Sequence, residues 1–138
     1  VLEADEPSKA ICGECEQCID ACPTKAIEEP FIVNSNKCLA YHTLENRDKE
    51  LPRNIINKMG TWIAGCDICQ EVCPWNQKNI PTTSEPELQP SEWILNMTKK
   101  DALSWSDSKW KEKLKSSALK RIKPWMWRRN INSISKNY

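Results

Sequence analysis

Glycine, histidine and phenylalanine are scarce in this chain. Its 138 residues hold three Gly, one His and one Phe. With so little conventional core material, a chain of this size is expected to need a staple. No apolar run approaches the length needed to cross a bilayer, which excludes a spanning helix. Residues 1–10 read VLEADEPSKA, acidic instead of basic-then-apolar, so no secretory signal is visible there. The expected compartment is therefore the reducing cytoplasm, where clustered cysteines hold metal more often than they form disulfides. The first residue is Val and cysteines begin at position 12, which suggests the C-terminal piece of a longer protein.

What the chain does have is eight Cys and seven Trp. All eight Cys lie within residues 12–76. The opening run, CGECEQCIDACPTKAI, is C-x2-C-x2-C-x3-C-P, the ligation pattern of bacterial two-cluster ferredoxins. A tight loop with Cys at i, i+3 and i+6 can reach three iron corners of one cubane, and Cys12, Cys15 and Cys18 fit that. Cys22 lies beyond the loop and reaches a second cluster. The same motif recurs as Cys66, Cys69, Cys73 and Pro74 with its front cysteine missing; Cys38, upstream, is the one thiol left to supply it. The expected wiring is crosswise. Cluster 1 takes Cys12, Cys15, Cys18 and Cys73, and cluster 2 takes Cys22, Cys38, Cys66 and Cys69. Disulfides, two zinc sites, or one cluster with spare thiols are the competing readings. Zinc more often uses separated C-x2-C pairs, and short C-x2-C-x2-C loops suit disulfides badly. Two [4Fe-4S] clusters give every thiol a place. Fully cysteine-ligated clusters leave no open iron, so the expected role is electron transfer, with the chemistry elsewhere.

Charge divides the chain. Residues 1–108 hold 10 Lys and Arg against 18 Asp and Glu, and residues 109–138 hold 10 Lys and Arg against Glu112 alone. Two surfaces of opposite sign are joined. The expected class is α+β, mainly α: a two-[4Fe-4S] ferredoxin-like domain over residues 1–76, a proline-bearing linker over 77–90, and a basic helical tail over 91–138. Helical turns are expected at 16–21 and 67–72, a strand at 31–35, and a helix after Pro52 with Ile55, Ile56, Met59 and Ile63 on its apolar face. Thr98 and Asp101 form a capping pair. Trp110, Leu114, Ala118 and Ile122 recur every four residues and mark the strongest helix, which Pro124 should stop; residues 125–134 could form one more.

CGECEQCIDACPTKAI, the CLAYHTLE segment at Cys38, the MGTWIAGCDICQEVCPWNQ segment and the tail's ALKRIKPWMWRRNI together resemble the C-terminal half of the epoxyqueuosine reductases, over nearly the whole chain from Ile11. The resemblance implies reduction of the epoxide of epoxyqueuosine to queuosine in tRNA. It implies cobalamin bound mainly by an N-terminal domain absent here, two [4Fe-4S] clusters feeding it electrons, and an external flavodoxin- or ferredoxin-type donor. The fragment alone should not turn over and should hold no catalytic residue. A stand-alone two-cluster carrier and another cobalamin-dependent reductase are the alternatives. Ala40 departs from the family's usual Ser, and Lys25 stands where small or neutral residues are common.

A cofactor fed by cluster 2 would meet the segment after Cys38 and the residues before Cys66. Tyr41, Thr43, Ala64 and Gly65 are therefore the candidate cobalamin-facing positions. His42 reads as a surface residue or, more sharply, as a proton donor near cobalamin. Trp62 and Trp75 flank ligands and would shield clusters; Trp110 reads as core. Trp125 and Trp127, among Lys123, Arg128 and Arg129, are stacking candidates. Lys120, Arg121, Arg128 and Arg129 are the candidate tRNA contacts, though each oxidised cluster carries roughly −2, and the basic tail could instead pack on the acidic front.

Overall fold

The computed structural model describes residues 3–6, 12–78 and 82–134. Short elements dominate. Helix α1 spans Gln17–Ala21, and strands β1 (Ile27–Glu29) and β2 (Ile32–Val33) form an antiparallel hairpin. Helices α2 (Leu39–Leu44), α3 (Arg53–Ile56) and α4 (Ile68–Glu71) complete the front part. Then follow α5 (Glu92–Leu95), α6 (Lys99–Ser104), α7 (Asp107–Lys113) and α8 (Pro124–Ile134). The mainly helical expectation holds, with the hairpin as the only sheet among the described residues.

The front helices are short because the sequence keeps interrupting them. Cys-Pro follows α1 and α4, and the residue before proline is pushed out of the helical region. The structure departs from the sequence reading in the tail and after Pro52. The periodic run through Trp110 and Ile122 is not one helix: α7 ends at Lys113, and Ala118–Arg121 is a 3₁₀ turn. Trp110, Leu114 and Ile122 are nonetheless all buried, so the spacing marked the core correctly and the element wrongly. Pro124 starts the longest helix instead of stopping one, because its fixed φ and missing N–H suit a helix's first residue. After Pro52 only one helical turn forms, yet Ile55 and Met59 are fully buried. Thr98 and Asp101 do form a reciprocal capping box at α6.

Two hydrophobic clusters hold the molecule. Trp105, Trp110, Trp127, Leu114, Ile122 and Met126 form the larger, with Trp110 and Trp127 stacked at 4.8 Å. Leu39, Leu51, Ile55 and Met59 form the smaller. Helix α8 joins them: its Trp127 sits in the first and Ile134 packs on the second. Leu44, Ile63 and Ala64 of the front part pack against the tail's core. Trp127 is therefore core, not a stacking platform; Trp125 is exposed.

Candidate metal centre

Helices α1 and α4 pack side by side, and each is followed by a Cys-Pro step that ends it. This pairing sorts the thiols. A cavity of 520 Å³ is lined by Cys12, Cys15, Cys18 and Cys73, with Trp75 and Lys78 at its wall. A second, of 80 Å³, is lined by Cys22, Cys38, Cys66 and Cys69, with Ile27, Val33 and Leu39 around them. Each short helix thus sends the cysteine it carries to one cavity and the cysteine beyond its end to the other. Cys12, Cys15, Cys18 and Cys73, assigned together from the sequence to one cluster, thus share one cavity, and Cys22, Cys38, Cys66 and Cys69 share the other. All eight cysteines are unpaired, and no disulfide joins any of them.

The donor set, thiols alone, suits iron–sulfur chemistry. Among the described residues, no group of three or more His, Cys, Asp or Glu converges closely enough to hold a single metal ion. Thiols spread around a cavity suit a polynuclear group, with sulfur at its corners, better than a point charge. The residues present therefore fit a [4Fe-4S] group in each cavity.

Electrostatics agree. Burial pushes the Cys66 and Cys69 thiols up, and the neighbouring thiols add to it: Cys69, Cys38 and Cys22 for Cys66, and Cys38, Cys22 and Cys18 for Cys69. Ionising these neighbouring thiols together is unfavourable until a cation neutralises them. Cys22 differs. Burial pushes it up, but hydrogen bonds from the Ala26 N–H at 3.2 Å and from Thr24 outweigh that and bring its thiol down. An N–H directed at a ligand sulfur is the protein's usual means of tuning such a centre.

Gly65 has φ +86°, in the region that favours glycine, and its N–H donates to Thr43 Oγ1 at 3.0 Å. Thr43 is fully buried, and its hydroxyl donates to the Leu39 carbonyl at 2.8 Å. Of the four candidate cobalamin-facing residues, Thr43 is thus turned inward with its hydroxyl committed, and Ala64 packs on the tail's core. Tyr41 is exposed, and Gly65 is partly so.

His42 is neither a surface residue nor a free proton donor. Its side chain is 4% exposed and bonded at both nitrogens. The Asn46 Oδ1 accepts from the Asp48 N–H, which turns Asn46 Nδ2 toward His42 Nδ1 at 3.0 Å. Nδ1 must then accept, and Nε2 donates to the Asn36 carbonyl at 2.8 Å. The ring is a buried brace for the segment leading from Cys38.

The four candidate tRNA cations part company. Arg129 is buried, donating to the carbonyls of His42, Asn46 and Asp48 at 2.9, 2.8 and 2.6 Å. Its place is inside, locking α8 to the Cys38 segment, and not on an RNA-facing surface. Arg121 pairs with Glu45 at 2.8 Å, and Arg128 pairs with Asp107 at 2.8 Å while donating to the Trp105 carbonyl. Lys120 is exposed and makes no side-chain bond among the described residues. Asn130, next to Arg129, is fully buried and donates to the carbonyls of Thr43 and Ile63 at 2.9 and 2.8 Å. The Arg–Asn pair is thus a structural clamp. Sequence reasoning missed it because an Arg-rich helix end reads as surface; the visible signal was Asn130, a polar residue set among apolar neighbours.

Comparison with known proteins accounts for both halves of the chain. Residues 11–76 match the family model described as a 4Fe-4S double cluster binding domain. An epoxyqueuosine reductase of Prochlorococcus marinus (strain NATL2A) is 84% identical over 136 residues, covering 99% of this chain and 44% of the relative. One from Synechococcus sp. (strain CC9605) is 57% identical, covering 94% of this chain and 40% of the relative. The chain therefore spans less than half the length of these relatives. Among solved structures, epoxyqueuosine reductase from Bacillus subtilis superposes with a TM-score of 0.87 at 32% identity, over 99% of this chain and 36% of that one. A crystal structure of epoxyqueuosine reductase with an epoxyqueuosine-modified tRNA-Tyr stem loop matches with the same score and identity, over 98% of this chain and 35% of that one.

Proposed function

As a member of the epoxyqueuosine reductase family, this chain is, we propose, the electron-delivering iron–sulfur part of an enzyme that reduces the epoxide of epoxyqueuosine to queuosine in tRNA. The observation that carries this is the sorting of eight thiols into two quartets by the α1–α4 pair. Cys12, Cys15, Cys18 and Cys73 hold one [4Fe-4S] cluster; Cys22, Cys38, Cys66 and Cys69 hold the other. Bound there, the clusters supply one-electron transfer. The chain's own part is to hold, insulate and tune them. Ile27, Val33 and Leu39 give the second site apolar walls, which would lower the polarity around its cluster. Trp75, 59% exposed, lines the first cavity, and a soluble donor of flavodoxin or ferredoxin type would approach that site.

Cobalamin belongs to the larger part of the enzyme. This chain offers it only an edge, the exposed Tyr41 ring and the backbone at Gly65, both reached from the second quartet through Cys38 and Cys66. The similarity to reductases runs through the basic tail as well as the cysteine region, which favours this reading over a free-standing carrier. No helix among the described residues is long and apolar enough to cross a membrane. We place the enzyme in the cytoplasm, where its tRNA substrate and reduced thiols coexist.

The test is the complete protein, purified without oxygen. Iron and sulfide should be present in equal amounts corresponding to two cubanes, and reduction should give the EPR signal of two interacting [4Fe-4S]+ centres. Zinc in place of iron, or a single uncoupled centre, would sink the assignment. Conversion of epoxyqueuosine-bearing tRNA by the same preparation tests the reaction.

A further inference from the structure

Away from the thiols lies a larger groove, of 720 Å³, between residues 49–57 and the outer face of α8. Lys49, Arg53 and Asn57 form one wall, and Trp125 and Asn132 the other. All five are exposed. None of the side chains of Lys49, Arg53, Asn57 and Asn132 makes a hydrogen bond or ion pair with a described residue, so their donors are unspent. Behind them Arg129 is buried and gives its donors to three backbone carbonyls and the Asn130 side chain. No carboxylate among the described residues forms an ion pair with it; the nearby Asp48 carboxylate offsets part of its charge, and the remainder adds to the field of the groove. Glu50 is the one carboxylate in the lining, against three cations. Trp125 lies over the Arg129 guanidinium, 5.4 Å from ring centre to Cζ, and remains 39% exposed.

This set has the chemistry of single-stranded nucleic acid recognition. Cations take backbone phosphates, an exposed indole held in place from one side stacks a base, and primary amides meet base edges or ribose. An acidic peptide would use the cations and leave the ring and amides idle. We propose that this groove is an RNA contact site, in which Lys49 and Arg53 neutralise phosphates and Trp125 stacks an unpaired base. The inference rests on the tRNA-directed function above and relocates the RNA contact: not to the tail's Arg121 and Arg128, which are committed to acidic partners, but to the seam between tail and front part.

The experiment uses the full-length, cluster-loaded enzyme and an unmodified tRNA anticodon stem-loop, with affinity measured across a salt series. Lys49→Gln with Arg53→Gln should weaken binding and reduce the slope of log affinity against log salt by about 1 to 2. Trp125→Leu should weaken binding roughly 5- to 100-fold with the slope unchanged. Lys111→Gln with Lys113→Gln, elsewhere on the tail, should leave both alone. Lys49 and Arg53 are unbonded surface residues, so their replacement does not threaten the fold; unchanged iron content checks this. Wild-type binding with unaltered affinity and slope in the Lys49/Arg53 variant overturns the groove and leaves the wider function standing. Absence of stem-loop binding by the wild type overturns both.

Discussion

The hydroxyl of Thr43 bridges the two segments that supply the second thiol quartet: it accepts from the Gly65 N–H at 3.0 Å and donates to the Leu39 carbonyl at 2.8 Å. Cys38 precedes Leu39 and Cys66 follows Gly65, so one buried oxygen ties together the segments of two proposed ligands far apart in sequence. Thr43→Val keeps the shape and removes the oxygen. It leaves the Gly65 N–H without a partner, at a cost of about 1–3 kcal/mol. The expected outcome is a lower Tm and loss of iron mainly from the second site, by iron analysis and EPR. Thr43→Ser keeps the hydroxyl and should keep the iron. Equal iron in Thr43→Val and the parent would show that the bridge does not set the ligand spacing.

The crosswise wiring proposed above makes an unusual demand on ligand variants. Cys73 is close in sequence to Cys66 and Cys69 but lines the cavity of Cys12, Cys15 and Cys18. Cys73→Ala should therefore disturb the first centre and leave the second, while Cys38→Ala does the reverse. Each should lose roughly half the iron, since an incomplete quartet binds its cluster poorly. EPR of the two reduced variants should show complementary residual signals; the same residual signal from both would refute the crossing.

Much of this site was readable in the cysteine spacing because ligation by a compact cluster is a local demand: three corners, three thiols, one tight loop. Cys38 was recoverable only because every other thiol already had a place. The clamp was not legible. Whether Arg129 points at solvent or at three carbonyls depends on how α8 docks, and that is fixed by Trp110, Trp127 and Ile131, which have no local signature of depth. His42 failed for the same reason: a histidine next to the exposed Tyr41 looks like surface until Asn36 and Asn46 close around it. The departure at Lys25 does have a physical consequence: its φ is +53°, so a lysine occupies a left-handed position, and its Nζ donates to the Asp20 carbonyl at 3.1 Å.

Acid should loosen the hairpin and the start of α6 before it reaches the core. The Lys37 ammonium, 2.7 Å from Glu28, and the Asn34 amide hold the Glu28 carboxyl below its usual range; hydrogen bonds from Thr98 do the same for Asp101. Both folded values lie below the unfolded ones, about 4.3 for Glu and 3.9 for Asp. The native state therefore binds fewer protons there. The stabilisation is complete above the unfolded values and is lost as pH falls through the folded ones. Glu28→Gln and Asp101→Asn should be less stable than the parent at pH 6, with the gap narrowing toward pH 3. Thermal unfolding of variant and parent at each pH tests this, since cluster loss common to both cancels; a constant gap would contradict it.

Arg129 should resist conservative exchange. Its planar guanidinium reaches the carbonyls of His42, Asn46 and Asp48 together, and a lysine ammonium on a flexible stem cannot satisfy all three in the same geometry. Burial also pulls its pKa down from the ordinary arginine range, so the site already works against the charge it holds. Arg129→Lys is expected to cost about 2–3 kcal/mol, the price of leaving one or two buried carbonyls unmet. Denaturant unfolding reads the change, and a midpoint within error of the parent would mean the clamp contributes nothing.

The hairpin carries its strain in the open. Glu29 pairs with Ile32, so Pro30 and Phe31 form a two-residue turn, and Phe31 has φ +66° in the position that usually calls for glycine. A side chain there costs about 1–2 kcal/mol, and Phe31 recovers none of it by packing, being 80% exposed. Phe31→Gly should therefore raise the stability of the isolated chain, by about 1 kcal/mol once glycine's greater freedom in the unfolded state is subtracted. Lys25→Gly relieves the same strain but gives up the bond to Asp20, so its gain should be smaller. Urea unfolding of the three proteins with clusters loaded ranks them: Phe31→Gly highest, Lys25→Gly next, parent lowest. A destabilised Phe31→Gly would mean that the ring contributes to the turn through contacts that its exposure conceals.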